Sequence, residues 1–197
     1  MKVIIFLILS YLLGAIPTGF ILTNWIKKTD VRKHGSGNIG ATNVARVLGI
    51  KYGIVIALMD ILKGFLAVGL IQISFNNPTA YLPFLAGLLA ILGHDYSIFL
   101  KFSGGKGVAT TVGVILKLLP EVILVAGLVW FILVIVTKYV SLGSILGAIS
   151  LPVFTYIFGK DIYPILFTSM AALLIIYSHR GNIKRLLKGK ENKLNLS

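Results

Sequence analysis

Seven apolar runs divide this 197-residue chain, and they constrain its fold more than any other feature. Apolar residues make up 57% of the sequence, and the mean hydropathy of +0.94 lies far above that of a soluble domain. In lipid, a spanning segment must satisfy all its backbone polar groups internally, which a helix does. The sequence therefore predicts an all-α, polytopic integral membrane protein that forms a single domain over residues 1–197.

Turn signals and basic residues bound the predicted helices, which cover residues 3–26, 52–75, 81–100, 108–119, 122–137, 140–158 and 162–178. The fourth helix is short, since twelve helical residues extend about 18 Å against roughly 30 Å of hydrocarbon. It is either a half-span or begins below the membrane surface. Pro17 lies inside the first span, where it frees backbone groups that neighbouring side chains must satisfy.

The basic residues predict the orientation of these helices. If the N-terminus lies outside and every run crosses, then 15 of the 19 Lys and Arg residues face the cytoplasm, in segments 27–51, 101–107, 138 and 179–197. We therefore predict seven membrane helices, one of them short, with the C-terminus in the cytoplasm. Five crossings are the alternative. Because the charges lie between spans, the net charge of +13 favours anionic lipid or an anionic substrate over nucleic acid.

A glycine-rich loop, Lys101 to Thr111 (KFSGGKGVATT), separates two of the apolar runs. Its glycines would let backbone N–H groups approach a phosphate, and the helix that follows adds a positive dipole. The spacing is not that of a Walker loop. An ordinary basic cytoplasmic loop is the competing interpretation. The short helix after the loop favours an anion cradle, a loop whose backbone N–H groups surround a phosphate.

A second polar stretch, residues 36–43 (SGNIGATN), precedes Arg46. Two glycines among hydroxyl and amide side chains are typical of a backbone nest, and Arg46 could bind a phosphate through two hydrogen bonds. A plain loop would also be rich in Ser, Gly and Asn, but it would not so readily end in an arginine beside an apolar patch.

Other polar residues lie near predicted helix ends or inside a span. His179 and Asn182 share a face of a basic tail that by itself indicates a membrane-surface helix. Asp60 and Lys63, three residues apart within a span, predict an ion pair that is structural or braces a cytoplasmic loop. His94 is either a base or a hydrogen-bonding group at a helix end.

No metal site is expected, because the three histidines are scattered, carboxylates are few and cysteine is absent. Ser141 and Ser144 begin a predicted helix, where serine commonly caps or bonds back to the chain. In the same helix, Gly143 and Gly147 predict close packing against a neighbour.

Three motifs in order resemble the bacterial acyl-phosphate:glycerol-3-phosphate acyltransferases of the PlsY type: SGNIGATNVAR, GHDYSIFLKFSGGKGVATT and HRGNIKRLLKGKE. The resemblance extends over essentially the whole chain. Two departures are small: Asp95-Tyr96-Ser97 stands where the family often has an aromatic-proline sequence, and Gly181 where an acidic residue is common.

The resemblance implies a reaction and a place in the cell. A fatty acyl phosphate would donate its acyl group to the 1-hydroxyl of glycerol 3-phosphate, giving lysophosphatidic acid and inorganic phosphate in phospholipid synthesis. The protein would lie in the bacterial inner membrane with its active site on the cytoplasmic side. We expect a monomer that needs no cofactor or metal and has no nucleic-acid partner.

The resemblance also implies roles for residues. The catalytic group would comprise Ser36, Arg46, Lys106, His179 and Asn182, and Asp60, Lys63 and Glu191 would be structural, with Glu191 pairing to a Lys or Arg of the tail. Asn43, His179 and Asn182 would orient the glycerol hydroxyls. The substrate phosphates would be bound by a larger set: Ser36, Gly37, Asn38, Gly40, Thr42, Asn43, Arg46, Gly104, Gly105, Lys106, Gly107 and Ser141.

The general base stays open between His179 and the leaving phosphate itself. Two other classes of protein compete with the enzyme: a phosphate-anion transporter and a structural membrane subunit with a lipid-binding tail. A transporter predicts internal repeats or a charged through-path, which the sequence does not have. A structural subunit leaves SGNIGATN and SGGKG unexplained.

Overall fold

The computed structural model describes residues 1–194 and shows an all-α protein, as the apolar runs predict. Two 3-10 turns, Val31–Lys33 and Ile98–Leu100, lie between helices. The helices of the described residues are α1 (Lys2–Ala15), α2 (Thr18–Lys27), α3 (Ala41–Leu48), α4 (Ile50–Ser74), α5 (Leu82–Asp95), α6 (Val108–Leu118), α7 (Pro120–Thr137), α8 (Val140–Ile157), α9 (Ile162–Ser178) and α10 (Arg180–Leu187). The last three residues of the predicted tail lie outside the described residues.

The first predicted span is interrupted at Ile16 and Pro17, between α1 and α2. Proline has no N–H to donate, so the helical ladder stops there and carbonyl groups lose their partners. Side chains bond to two of these carbonyls: Ser97 Oγ donates to Ala15 at 2.6 Å, and Lys63 Nζ donates to Ile16 at 3.2 Å, where the Thr18 N–H also donates at 3.0 Å. The expectation that neighbours satisfy the freed groups is confirmed.

Length and composition identify five segments able to cross a membrane among the described residues. These are Lys2–Lys27, Ile50–Ser74, Leu82–Leu100, Pro120–Thr137 and Val140–Ile157. Helices α9 and α10, bent by 59°, make a sixth if the pair counts as one span. The apolar helix α6 has 11 residues and extends about 16 Å at the usual rise per residue. Seven crossings therefore remain a prediction.

The chain forms two compact units, Met1–Leu118 and Leu119–Ser197, so the single domain stays a prediction. In the first unit, glycines let helices pack backbone to backbone. A Cβ on Gly14 or Gly93 of α1 and α5 would collide with the facing backbone, and so would one on Gly64 or Gly113 of α4 and α6. In lipid the hydrophobic effect does not drive helices together, so the van der Waals packing that such small residues permit stabilises the contact between helices.

The second unit packs α8 against both α7 and α9. Gly143 and Gly147 face Trp130 of α7, as the spacing of the two glycines predicts. Trp130 also donates its indole N–H to Ser144 Oγ at 3.3 Å, and Ser144 donates to the Val140 carbonyl at 2.9 Å. Ser144 thus has the back-bonding role that serine commonly takes in membrane helices.

Candidate functional site

Asn43 organises the polar stretch between α2 and α3. Its side chain is 2% exposed, and its Nδ2 donates to the carbonyls of Val31, His34 and Asn38 at 3.1, 3.1 and 2.7 Å. Its Oδ1 accepts the backbone N–H of Ser36 at 2.7 Å. One buried amide therefore fixes the whole loop. The predicted role of Asn43 in orienting glycerol hydroxyls would require this amide to leave the carbonyls it now binds.

Asn38 joins the polar stretch to the glycine loop. Its Oδ1 accepts the N–H of Gly40 at 2.8 Å, just before α3 begins, and its Nδ2 donates to the Gly104 carbonyl at 3.3 Å. Two segments predicted to bind phosphate, 66 residues apart in sequence, are therefore in direct contact. Sequence spacing carries no sign of this hydrogen bond.

Arg46 and Ser36 lie beside this junction. Arg46 is exposed on α3, and Ser36 is half-buried. The stem of Arg46 and the amide of Asn43 lie next to Gly35, whose φ of +57° turns the chain toward Ser36. A guanidinium held near a bend rich in small polar residues is suited to bind a phosphate through two hydrogen bonds.

The glycine loop is seated on the end of α5. The N–H groups of Gly104 and Gly105 donate to the carbonyls of Asp95 and His94, at 3.0 and 2.8 Å. A Cβ on Gly104 would collide with the His94 carbonyl, and one on Gly105 with the His94 ring. In this conformation, then, these two N–H groups hold the loop in place. This differs from their predicted use as phosphate donors.

Two further features shape the end of this loop. Gly107 has a φ of +73°, which favours glycine, and a Cβ there would lie 3.1 Å from the Asp95 carboxylate. Lys106, half-buried, is held between Gly105 and Gly107, and α6 begins at Val108. The backbone that carries Lys106 is therefore held at Gly105 by a hydrogen bond and turns at Gly107, immediately before a helix N-terminus.

Beneath the loop lies a buried polar cluster in α4 and α5. Lys63 Nζ is 2.9 Å from Asp60 Oδ1 and 2.8 Å from His94 Nδ1, and it also contacts the Ile16 carbonyl. Thr18 Oγ1 donates to Asp60 Oδ1 at 2.7 Å. The ion pair expected for Asp60 and Lys63 is present. Sequence reasoning missed that His94 joins it, since Lys63 and His94 lie 31 residues apart on different helices.

His179 stands at the bend between α9 and α10. Its Nδ1 lies 2.8 Å from the Ile175 carbonyl, and the ring is 4% exposed. A carbonyl oxygen only accepts, so Nδ1 carries a proton in this contact.

Glu191 binds the C-terminal tail of the second unit to α8 and α10 through three hydrogen bonds. Its Oε1 accepts from Ser141 Oγ at 3.0 Å and from Asn182 Nδ2 at 2.7 Å, and its Oε2 accepts from Arg185 Nε at 2.7 Å. The predicted pairing of Glu191 with a basic tail residue is confirmed by Arg185. Ser141 and Asn182, which the sequence assigned separately, are brought together on one carboxylate. In this conformation both bind the protein's own glutamate.

The electrostatics of this contact favour an ionised Glu191, whose side chain is only 4% exposed. Burial by itself raises the pKa of the Glu191 carboxyl, but hydrogen bonds from Asn182, Arg185 and Ser141 and the charge of Arg185 outweigh it. The pKa of the Glu191 carboxyl is therefore held below its usual value.

Beyond Glu191, the tail lies against the turn between α7 and α8, where the Leu194 N–H donates to the Lys138 carbonyl at 2.8 Å.

The chain is similar to known acyltransferases over nearly its whole length. A family model described as "Glycerol-3-phosphate acyltransferase" matches residues 4–189. The glycerol-3-phosphate acyltransferase of Fusobacterium nucleatum is 46% identical over 95% of this chain and 96% of its own. Glycerol-3-phosphate acyltransferase 2 of Bacillus anthracis is 48% identical over 97% of this chain and 98% of its own.

Two crystal structures of PlsY (YgiH), an integral membrane glycerol 3-phosphate acyltransferase, have the same fold. The glycerol 3-phosphate form is 40% identical with a TM-score of 0.93, and the lysophosphatidic acid form is 39% identical with a TM-score of 0.90. Each match covers 99% of this chain and 96% of the other. The resemblance of the three motifs is thereby confirmed, and this chain belongs to the glycerol-3-phosphate acyltransferase family of multi-pass integral membrane enzymes.

Proposed function

We propose that this enzyme transfers a fatty acyl group from acyl phosphate to the 1-hydroxyl of glycerol 3-phosphate. The hydroxyl oxygen attacks the acyl carbonyl carbon, and the bond from that carbon to the phosphate oxygen breaks. The products are lysophosphatidic acid and inorganic phosphate, which leaves with the hydroxyl proton. The crystal structures of a relative 40% identical, in its glycerol 3-phosphate and lysophosphatidic acid forms, support the acceptor and the product.

The observation that carries this proposal is the contact of the polar stretch with the glycine loop through Asn38 and Gly104. Both substrates bear phosphate, so the enzyme needs fixed cations and donors. We assign Ser36, Arg46, Lys106 and the backbone near Gly107 to phosphate binding, with Gly37, Asn38, Gly40 and Thr42 as further parts of the cradle. In this assignment Asn43, Gly104 and Gly105 act mainly by holding the cradle in shape.

We assign the acceptor hydroxyls to His179 and Asn182. The ordinary pKa of an imidazole makes His179 the obvious candidate for a general base, but phosphate is itself a good leaving group whose oxygen can take the hydroxyl proton. We infer that positioning and neutralisation of phosphate charge supply most of the acceleration. The His179→Ala variant tests this: a loss of roughly a hundredfold or more in kcat with unchanged affinity for glycerol 3-phosphate would instead favour a general base.

We propose seven crossings with the N-terminus outside, and an active site on the cytoplasmic side of a bacterial inner membrane. The support is the placement of 15 of 19 basic residues in segments that this topology puts inside. Single cysteines introduced into the cysteine-free chain should be labelled from one side of sealed vesicles in residues 76–80 and at Glu121, and from the other side in the tail. Labelling of residues 76–80 and the tail from the same side would contradict the orientation, and labelling of Glu121→Cys from the side of the tail would favour five crossings.

The experiment that tests the reaction uses the purified protein in detergent with acyl phosphate and glycerol 3-phosphate. Phosphate and lysophosphatidic acid should appear in equal amounts, only when both substrates are present and without added cofactor. Failure of acyl-CoA to replace acyl phosphate would support the donor. No release from folded protein would overturn the enzyme and leave the transporter, which phosphate uptake into proteoliposomes would reveal, or the structural subunit.

A further inference from the structure

We propose that Lys63 and His94 are positioning residues that set the glycine loop for glycerol 3-phosphate. Asp60, Lys63 and His94 are 1, 4 and 3% exposed and lie within segments able to span the membrane. Ionisable groups at such depth are costly, which makes a functional role the default interpretation. This inference rests on the proposed function and adds to it a group that does not touch the substrate.

Lys63 fixes the hydrogen-bonding state of His94. An ammonium group has three donors and no acceptor, and Lys63 Nζ has three acceptors around it: Asp60 Oδ1, the Ile16 carbonyl and His94 Nδ1. Nδ1 of His94 must therefore accept, which leaves the ring proton on Nε2. His94 Nδ1 lies 3.7 Å from Asp60 Oδ1, beyond hydrogen-bond distance, so Lys63 is the link between the two.

The oriented His94 ring supports the glycine loop from below. Nε2, Cδ2 and Cε1 are the three atoms that a Cβ on Gly105 would strike, so this edge of the ring lies against the Gly105 backbone. The His94 carbonyl accepts the Gly105 N–H, so ring and backbone hold the same residue. Lys106 is the next residue, and its direction therefore depends on how the His94 ring is held.

The test must distinguish the positioning role from the alternative that Asp60 and Lys63 only neutralise each other's charge inside the span. Removing Lys63 alone would strand a buried carboxylate and could unfold the protein. The double variant Asp60→Asn with Lys63→Met removes both charges together. We expect a Tm close to that of the wild type, a Kd for glycerol 3-phosphate raised about tenfold by calorimetry, and kcat changed less than about threefold.

A second variant keeps the ion pair. In His94→Asn an amide replaces Nδ1 as a partner for Lys63, but the ring edge beneath Gly105 is gone. We expect about the same rise in Kd, with the Tm retained. The matched control is Glu121→Gln with Lys160→Gln, which removes the paired charges at the start of α7 and after α8. This control should leave Kd, KM and kcat unchanged.

The outcomes distinguish this inference from the proposed function. An inactive wild-type protein that also fails to bind glycerol 3-phosphate would overturn the function. An active wild type with unchanged Kd in both folded variants would overturn the positioning role alone. If the double variant does not fold, His94→Asn decides. A drop in kcat at constant Kd would also count against positioning.

Discussion

Two polar clusters, one in each unit, are held together by different interactions. The glycine-loop cluster of the first unit comprises Asn38, Asn43, His94, Gly104 and Gly105, and the Glu191 cluster of the second comprises Ser141, Asn182, Arg185 and Glu191. The first cluster rests on backbone hydrogen bonds from Gly104 and Gly105, one buried amide and close packing that leaves no room for a Cβ. The second rests on one carboxylate that accepts from three side chains. Close packing against the backbone therefore holds the glycine-loop cluster together, and one ionised carboxylate holds the Glu191 cluster together.

This difference implies different weaknesses. Steric substitutions should damage the glycine-loop cluster, because a well-packed interior cannot absorb an added methyl group without moving. Loss of a charge should damage the Glu191 cluster, because hydrogen bonds to charged groups are the strong ones. Affinity for the acceptor should follow the first cluster, and order in residues 180–194 should follow the second.

The largest effect is expected for Gly105→Ala. The new methyl group would strike the His94 ring and lift the loop, so affinity for glycerol 3-phosphate should fall by roughly a hundredfold, with turnover falling less. Titration calorimetry and initial rates measure the two separately. Gly69→Ala is the matched control, because a Cβ there meets nothing within 4 Å and alanine suits a helix better. Equal losses in both variants would contradict the steric explanation.

Glu191→Gln should come next. It keeps the side-chain volume but removes the charge that binds Arg185 and orders Asn182, a contribution of about 1.5–3 kcal/mol for a hydrogen bond to a charged group. Turnover should fall about tenfold while affinity for glycerol 3-phosphate changes little. Glu121→Gln, on a partly exposed ion pair, is the control and should alter stability by less than about 1 kcal/mol. A larger change in affinity than in turnover would count against separate roles.

Acidification should release the tail before it disturbs the glycine loop. The folded pKa of Glu191 lies below its ordinary value of 4.5, so its contribution is complete above that value and is lost as the pH falls through the lowered one. Hydrogen exchange in residues 180–194 should therefore accelerate in that acidic window, and residues 101–108 should stay protected. Glu191→Gln should already exchange fast at neutral pH, with no further step on acidification.

The smallest effect is expected for Ser141→Ala. It removes one of the donors to Glu191 Oε1 and leaves Asn182 on the same oxygen, so the cost should be about 1 kcal/mol. Exchange in the tail should rise slightly, with activity within about threefold of the wild type. Ser150→Ala, which removes a bond to the Gly147 carbonyl within α8, is the control for loss of a helix hydroxyl.

Much of the fold could be predicted because lipid leaves the chain few choices. The apolar runs gave the helices, and α6 ends one residue from its predicted boundary. The helix α3, inside the polar stretch, was not predicted, because its eight residues are too few for a clear period. The break at Pro17 splits a span that the hydropathy pattern shows as continuous.

The site was predictable as motifs but not as contacts. The glycines of SGGKG predict a close approach, but only the fold shows that the His94 ring makes it. The sequence indicates that Asn43 is a polar residue of a backbone nest. Its hydrogen bonds to three carbonyls of residues 31–38 could not be predicted, because they depend on how that loop packs against α3. The pairing of Glu191 with a basic residue was predicted, since both lie in one short tail.

The most direct test of the central claim is the Kd of glycerol 3-phosphate for wild type, Gly105→Ala and Glu191→Gln, measured by calorimetry on folded protein in one detergent. The glycine-loop cluster should hold the acceptor phosphate. We therefore predict a loss of roughly a hundredfold for Gly105→Ala and a change under about threefold for Glu191→Gln. Wild-type affinity in Gly105→Ala together with loss of binding in Glu191→Gln would contradict it.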